Sequence, residues 1–142
     1  MWKIYKAKYL RSAGFCLPAY IEINGIELCV MDEFRIKADD YPISIGTIFS
    51  VQLFGLTSKS YLPESVLLEN KHCEKKIVQQ KDWDYFVYCE VINQEQGLID
   101  CGIIIKCDLS FLCKYNYNNK FVGFSITRLE AFVINNKATQ QL

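Results

Sequence analysis

Along most of this chain apolar and polar residues change places at every step, the period of two that belongs to a β-strand with one buried face. The pattern is strongest in "DWDYFVYCEV", where Trp83, Tyr85, Val87, Cys89 and Val91 fall on one side and Asp82, Asp84, Phe86, Tyr88 and Glu90 on the other. It recurs in "WKIYKAKYL", "EFRIKADD", "TIFSVQLFG" and "FVGFSITRLEAFVI". A helix would need apolar residues three and four apart, so this spacing excludes a helical bundle. Strands alternating with crossover-length helical segments are also absent, which argues against a parallel α/β sheet.

The segment "YIEINGIELC" shows how such strands connect. Asn24-Gly25 is the dipeptide of a two-residue hairpin turn, since both central residues need a positive φ. A two-residue turn opposes Ile23 to Ile26, Glu22 to Glu27 and Ile21 to Leu28. Two carboxylates then face each other across the strand pair, which costs stability and requires a cation from somewhere. Gln94-Glu95-Gln96-Gly97 reads as a four-residue turn, with Gly46 and Gly102 as candidate bulges or bends. Residues 57–81 break the alternation. Pro63, Glu64 and a run of lysines suit a short helical segment near 61–80. The expectation is a mainly β fold: residues 1–142 as a single domain with an antiparallel curled sheet, a small barrel or sandwich, and that one helix.

A chain of 142 residues with 51% hydrophobic and 23% charged residues can bury a real core. No uninterrupted apolar run follows Lys3, Lys6 and Lys8, and none approaches the ~18 residues of a membrane span. A cytoplasmic protein without a membrane partner is expected. Seven cysteines, at 16, 29, 73, 89, 101, 107 and 113, are odd in number and lack CxxC pairs, so they read as reduced, buried packing residues. Cys101, Cys107 and Cys113 with His72-Cys73 lack the close knuckle spacing of a structural zinc site. No metal is expected.

Catalytic patterns are missing. His72 is the one histidine, without a nucleophile beside it, and the pairs Asp82/Asp84 and Asp39/Asp40 suit solvated turns better than acid–base work. The glycines stand singly, so there is no phosphate loop. We therefore expect no enzyme, no cofactor and no small-molecule substrate. A small barrel of the oligonucleotide-binding type is the alternative. It would use strand 1–11, where Trp2, Tyr5 and Tyr9 interleave with Lys3, Lys6, Lys8 and Arg11. Against it stands the balance of 16 basic and 16 acidic residues, which removes most of the attraction to nucleic acid.

The balance hides segregation. Residues 1–11 hold four basic residues and no acid, whereas residues 22–40 hold six acids (Glu22, Glu27, Asp32, Glu33, Asp39, Asp40) against Arg35 and Lys37. Residues 82–108 hold another six (Asp82, Asp84, Glu90, Glu95, Asp100, Asp108) against Lys106. On the polar side of 82–90 the acids alternate with Phe86 and Tyr88, and such a mixture of aromatic anchors with steering charges suits a protein partner.

With the acid–aromatic strands "DWDYFVYCEV" and "YIEINGIELC", free cysteines and no active-site motif, the chain resembles bacterial immunity proteins of contact-dependent growth inhibition and related systems. That resemblance implies one-to-one binding of a cognate protein toxin, often a basic nuclease. The surface expected to hold it comprises Glu22, Glu27, Asp82, Asp84, Phe86, Tyr88 and Glu90.

Overall fold

The computed structural model describes residues 1–32, 34, 44–57, 68–112 and 115–134. Among these, eleven strands join into one sheet: β1 (Tyr5–Ser12), β2 (Pro18–Ile23), β3 (Ile26–Met31), β4 (Ile48–Leu56), β5 (Leu68–Glu69), β6 (Lys76–Lys81), β7 (Asp84–Asn93), β8 (Leu98–Asp100), β9 (Ile104–Cys107), β10 (Phe121–Ile126) and β11 (Arg128–Val133). One 3-10 turn at Ser110–Leu112 is the only helical element among the described residues. The mainly β expectation holds.

Neighbours run β3-β2-β1-β4-β9-β8-β7-β10-β5, with β11 added to β4 and β6 added to β7. All pairs are antiparallel except β4 with β9, which run parallel for two residue pairs. The sheet curls into a half-barrel because β10 and β11 follow one another through Thr127. The first of them pairs with β7 and the second with β4, so one bent stretch of chain ties both flanks together. Thr127 is bonded into the bend by its amide and hydroxyl, which both donate to Leu56 O at 2.8 and 2.9 Å.

Alternation decides what lies inside the curl. Tyr85, Val87, Cys89 and Val91 of β7 are buried, as are Ile21 and Ile23 of β2 and Val51 and Leu53 of β4. Burying each such aliphatic side chain stabilises the fold by roughly 2 kcal/mol before the entropy of ordering is counted.

The hairpin register follows the Asn-Gly turn: Ile23 opposes Ile26, Glu22 opposes Glu27 and Ile21 opposes Leu28, with φ of +51° at Asn24 and +81° at Gly25. Two other expectations are corrected. The stretch 98–107 is a hairpin rather than one strand with a bulge, because the chain reverses at Cys101–Ile103 and β8 pairs with β9. The helical segment near 61–80 shows no helix where it is described, but two short strands joined by a turn at Lys71–His72. Residues 68–69 pair with β10 and residues 76–81 pair with β7. Lys76 and Lys81 belong to an edge strand in which Ile77 alone packs toward the core, so it shows no alternation. Residues 61–67, like the strand expected at 33–40 apart from Phe34, lie outside the described residues.

Tyrosine hydroxyls close the gaps that curling leaves. β1 and β9 share one edge of β4, and at their fork Tyr5 Oη accepts the amide of Ile104 at 2.7 Å. On the β3 side, Tyr85 Oη accepts the amide of Cys29 at 2.6 Å. Both tyrosines are buried, and burial pushes both phenols above their ordinary pKa. Tyr85→Phe leaves a buried amide without its acceptor, and a loss of about 2 kcal/mol is expected in a urea titration. A loss below the error of the measurement would mean that water replaces the hydroxyl there.

Candidate functional site

Strand β7 projects Asp84, Phe86, Tyr88 and Glu90 outward, because the residues between them fill the core. On one side β6 sets Val78 opposite Phe86 and Lys76 opposite Tyr88. On the other, β10 sets Ser125 and Gly123 against the same two positions. Those small residues add no bulky side chain beside the rings, and Phe86 and Tyr88 are half-buried. The Phe86 and Tyr88 rings meet at 5.0 Å between centroids with planes inclined by 58°, and the Lys76 ammonium stands 4.7 Å from the Tyr88 centroid. With Gln80 these residues line a shallow groove of about 320 Å³. The segment 76–81 thus lies beside the aromatic pair in the plane of the sheet.

The predicted acids divide into two sets. Glu22 and Glu27 oppose one another across β2 and β3, and Glu90 and Asp100 oppose one another across β7 and β8. A cation of the same chain engages each pair, Arg11 through Glu27 alone and Lys75 through both carboxylates. Arg11 donates two hydrogen bonds to Glu27, at 3.2 and 3.0 Å, while its guanidinium lies 4.0 Å from the Tyr20 ring centroid. Lys75 spans the second pair, 3.0 Å from Asp100 and 3.3 Å from Glu90. Glu27 and Glu90 are therefore held within the molecule and are less available to a partner than the sequence suggested. Glu22 lies opposite Lys8 of β1 without an ion pair, and Asp82 and Asp84 carry none either, among the described residues.

Asp82 sits in the β6–β7 turn at a φ of +49°. It lines one groove with Arg11, Ser12 and Tyr20, so the fold brings Asp82 and the Arg11–Glu27 pair to a common region. Phe86 and Tyr88 continue from there along β7. Sequence reasoning placed Arg11 in the basic strand 1–11 and did not read it, or Lys75, as the counter-ion of these acids. The Arg11 position follows from a register shift in β1 between Tyr9 and Arg11 that sets Arg11 opposite Tyr20, and no residue pattern announces that shift.

Hydrogen bonds from Arg11 hold the Glu27 carboxyl below its ordinary pKa. A depressed carboxylate contributes stability that is present above its unfolded-state pKa and lost as pH falls through the folded value. The pair is exposed, so the effect on stability is small, but the titration itself is measurable. By NMR, the Glu27 midpoint should lie below the usual glutamate range and rise into it in Arg11→Ala. An unchanged midpoint in that variant would mean that the clamp is absent in solution.

The other candidate residues fall elsewhere. Tyr5 and Tyr9 of the proposed nucleic-acid strand are buried, Tyr9 donating to Asp32 Oδ2 at 3.2 Å, so neither can stack on a base. Trp2 turns away from them. Its indole donates to Leu53 O at 2.8 Å and its ring packs edge-on against Phe132 at 5.9 Å. His72 and Cys73 are exposed, whereas Cys89, Cys101 and Cys107 are buried in the core. Burial pushes all three core thiols up, Cys101 to about 12, which keeps them protonated and unreactive at neutral pH. Cys113 lies outside the described residues, and among those described no group of three or more His, Cys, Asp or Glu residues is arranged to hold a metal ion. No helix among them is long and apolar enough to cross a membrane. No family model, curated protein or solved structure matches the chain.

Proposed function

We propose that the chain is a non-enzymatic protein-binding module of the immunity type, which holds a basic toxin domain one-to-one through the outer face of β6 and β7. One observation carries this reading. Phe86 and Tyr88 stand together and half-buried on that face, with the unpaired carboxylates Asp82, in the turn before the strand, and Asp84, at its start. Adjacent aromatic rings offer area at low entropic cost, and two free carboxylates steer a cationic partner and fix its register. The resemblance noted above supplies the class of partner. Glu27 and Glu90 play a supporting part, holding Arg11 and Lys75 at the margins of the face.

The test is protection of growth. A cell expressing the toxin domain encoded beside this chain should grow when the chain is co-expressed. Asp82→Lys with Asp84→Lys should abolish that protection, while Glu95→Lys, an exposed residue outside the face, should leave it intact. Full protection by the Asp82/Asp84 double variant would rule this surface out.

A further inference from the structure

Ahead of β10 the chain reads "YNYNNK" from Tyr115 to Lys120, a loop of phenols and amides that plays no part in the β6–β7 face. It is held in one shape by hydrogen bonds. The Gln94 side chain donates through Nε2 to Leu112 O and Tyr115 O at 2.7 and 3.0 Å, and its Oε1 accepts the Tyr117 amide at 2.6 Å. The Gln94 amide donates to Asn118 Oδ1 at 2.7 Å, and Asn116 Oδ1 accepts the Asn118 amide at 2.9 Å. Val91 fixes the end of the loop, accepting the Asn119 amide at 2.7 Å and donating to Lys120 O at 2.9 Å. A loop fixed in this way has little conformational freedom left to lose when a ligand arrives.

The groups that those bonds leave over define a ligand class. Tyr115, Asn116, Tyr117, Lys120 and Phe121 line a concave site of about 430 Å³, within the range of small-ligand sites. Tyr115 is 60% exposed and meets the Tyr117 ring edge-on at 6.2 Å. Among the described residues, Asn116 Nδ2 and the hydroxyls of Tyr115 and Tyr117 have no hydrogen-bond partner. Lys120 is the one ionised group of the lining, and Glu90, opposite Phe121 across the ladder, is engaged by Lys75. A single exposed lysine does not build an anion site, so recognition rests on the rings and the uncharged polar atoms. A sugar ring matches both at once. Its C–H face lies against an aromatic ring, while its hydroxyls, each a donor and an acceptor, meet the amide and the phenols.

We infer that the Tyr115–Phe121 site binds a neutral saccharide. The sugar stacks on Tyr115, Asn116 Nδ2 and the Tyr117 hydroxyl bond its hydroxyl groups, and Lys120 donates at the rim. The site lies at the Glu90 end of β7, and the proposed toxin complex and this reading stand or fall separately.

The experiment is saturation-transfer NMR on the full chain, with trimers of glucose, galactose, mannose and N-acetylglucosamine as probes. At least one trimer should receive saturation, most strongly on its C–H protons, and its titration should shift the amides of residues 115–121. The affinity should be the same at 50 and 500 mM salt, because screening acts on charges alone. Tyr115→Ala should weaken binding about tenfold, the loss of one aromatic anchor, and Tyr115→Phe should weaken it less. Asn116→Asp keeps the acceptor for the Asn118 amide but removes the Nδ2 donor, and should weaken binding about fivefold. Phe86→Ala, on the β6–β7 face, should leave it unchanged. Amide spectra of each variant verify that it is folded. The inference is overturned if none of the four trimers binds, if Tyr115→Ala binds as the parent does, or if binding is lost at 500 mM salt. A loss of toxin affinity in Tyr115→Ala, with no saccharide bound, would assign the loop to that protein instead.

Discussion

Gly97→Ala should be the most damaging single methyl group that can be added to this protein. Gly97 ends the Gln94–Gly97 turn at a φ of +77°, and a Cβ there would lie 2.0 Å from the carbonyl oxygen of Cys107. That carbonyl is backbone in β9 and cannot swing aside as a side chain would. The clash also falls on the Cys107 amide bond to Gly97 O at 2.7 Å, which closes the turn onto the strand. Strain from the left-handed conformation adds about 1–2 kcal/mol. The expected loss is about 4 kcal/mol or more, enough to lower the melting temperature by roughly 15 °C or to prevent folding. Gly25→Ala is the matched control. Its φ of +81° is equally demanding, but nothing lies within 4 Å of the added atom, so only the conformational cost of about 1 kcal/mol should appear. Equal losses in the two variants would show that the approach of Cys107 does not matter.

The second large effect is expected at Asp32, which is 0% exposed although its side chain is polar. Its carboxylate accepts hydrogen bonds from Tyr9 Oη, from the Ser12 hydroxyl and from the amide of Phe34. Its backbone holds the loop after β1, accepting from the Cys16 amide and donating to Leu17 O, both at 2.8 Å. Asp32→Ala keeps those main-chain bonds but leaves buried donors without an acceptor, each costing about 1–3 kcal/mol. A total near 3 kcal/mol is expected by chemical denaturation. Asp32→Asn retains one carbonyl oxygen and should lose less. If Asp32→Ala were as stable as the parent, the loop would have to re-satisfy the donors with water.

These sites illustrate which parts of the structure are legible in the chain. The Glu22–Glu27 opposition could be read before any coordinates because Asn24-Gly25 dictates a two-residue turn and hence the register. The burial of Tyr85, Val87, Cys89 and Val91 could be read because β7 has one wet face and one dry one. β6 could not. Apart from Ile77, Lys76–Lys81 is exposed, so no alternation distinguishes it from a loop or a helix end, and its lysines mark the edge of a sheet. The reversal at Cys101–Ile103 was hidden because apolar residues continue through it on both sides.

The acid pattern shows the same limit for the candidate site. Read along the chain, Glu22, Glu27, Glu90 and Asp100 form an acidic surface. In the fold they are two cross-strand pairs, Glu27 of the first held by Arg11 and both acids of the second by Lys75, and only a knowledge of which strands meet could reveal those cations. The tyrosines mislead in a similar way. Tyr5 and Tyr9 alternate with lysines as a stacking surface would, yet their hydroxyls are spent on Ile104 and Asp32 inside the protein. An aromatic cluster on the outer face instead combines Trp2, Phe54 and Phe132, residues that come together only because β11 pairs with β4 and the chain before β1 runs alongside them.

The proposal that the face of β6 and β7 binds a basic toxin domain is tested most directly by the dissociation constant of the proposed toxin partner, measured by calorimetry with three variants. Phe86→Ala and Tyr88→Ala should each weaken binding about 30-fold, the loss of roughly 2 kcal/mol expected of a central anchor. Phe132→Ala, on the outer face of β11, should leave it unchanged. Unaltered affinity in the first two variants, with a loss confined to Phe132→Ala, would contradict the assignment.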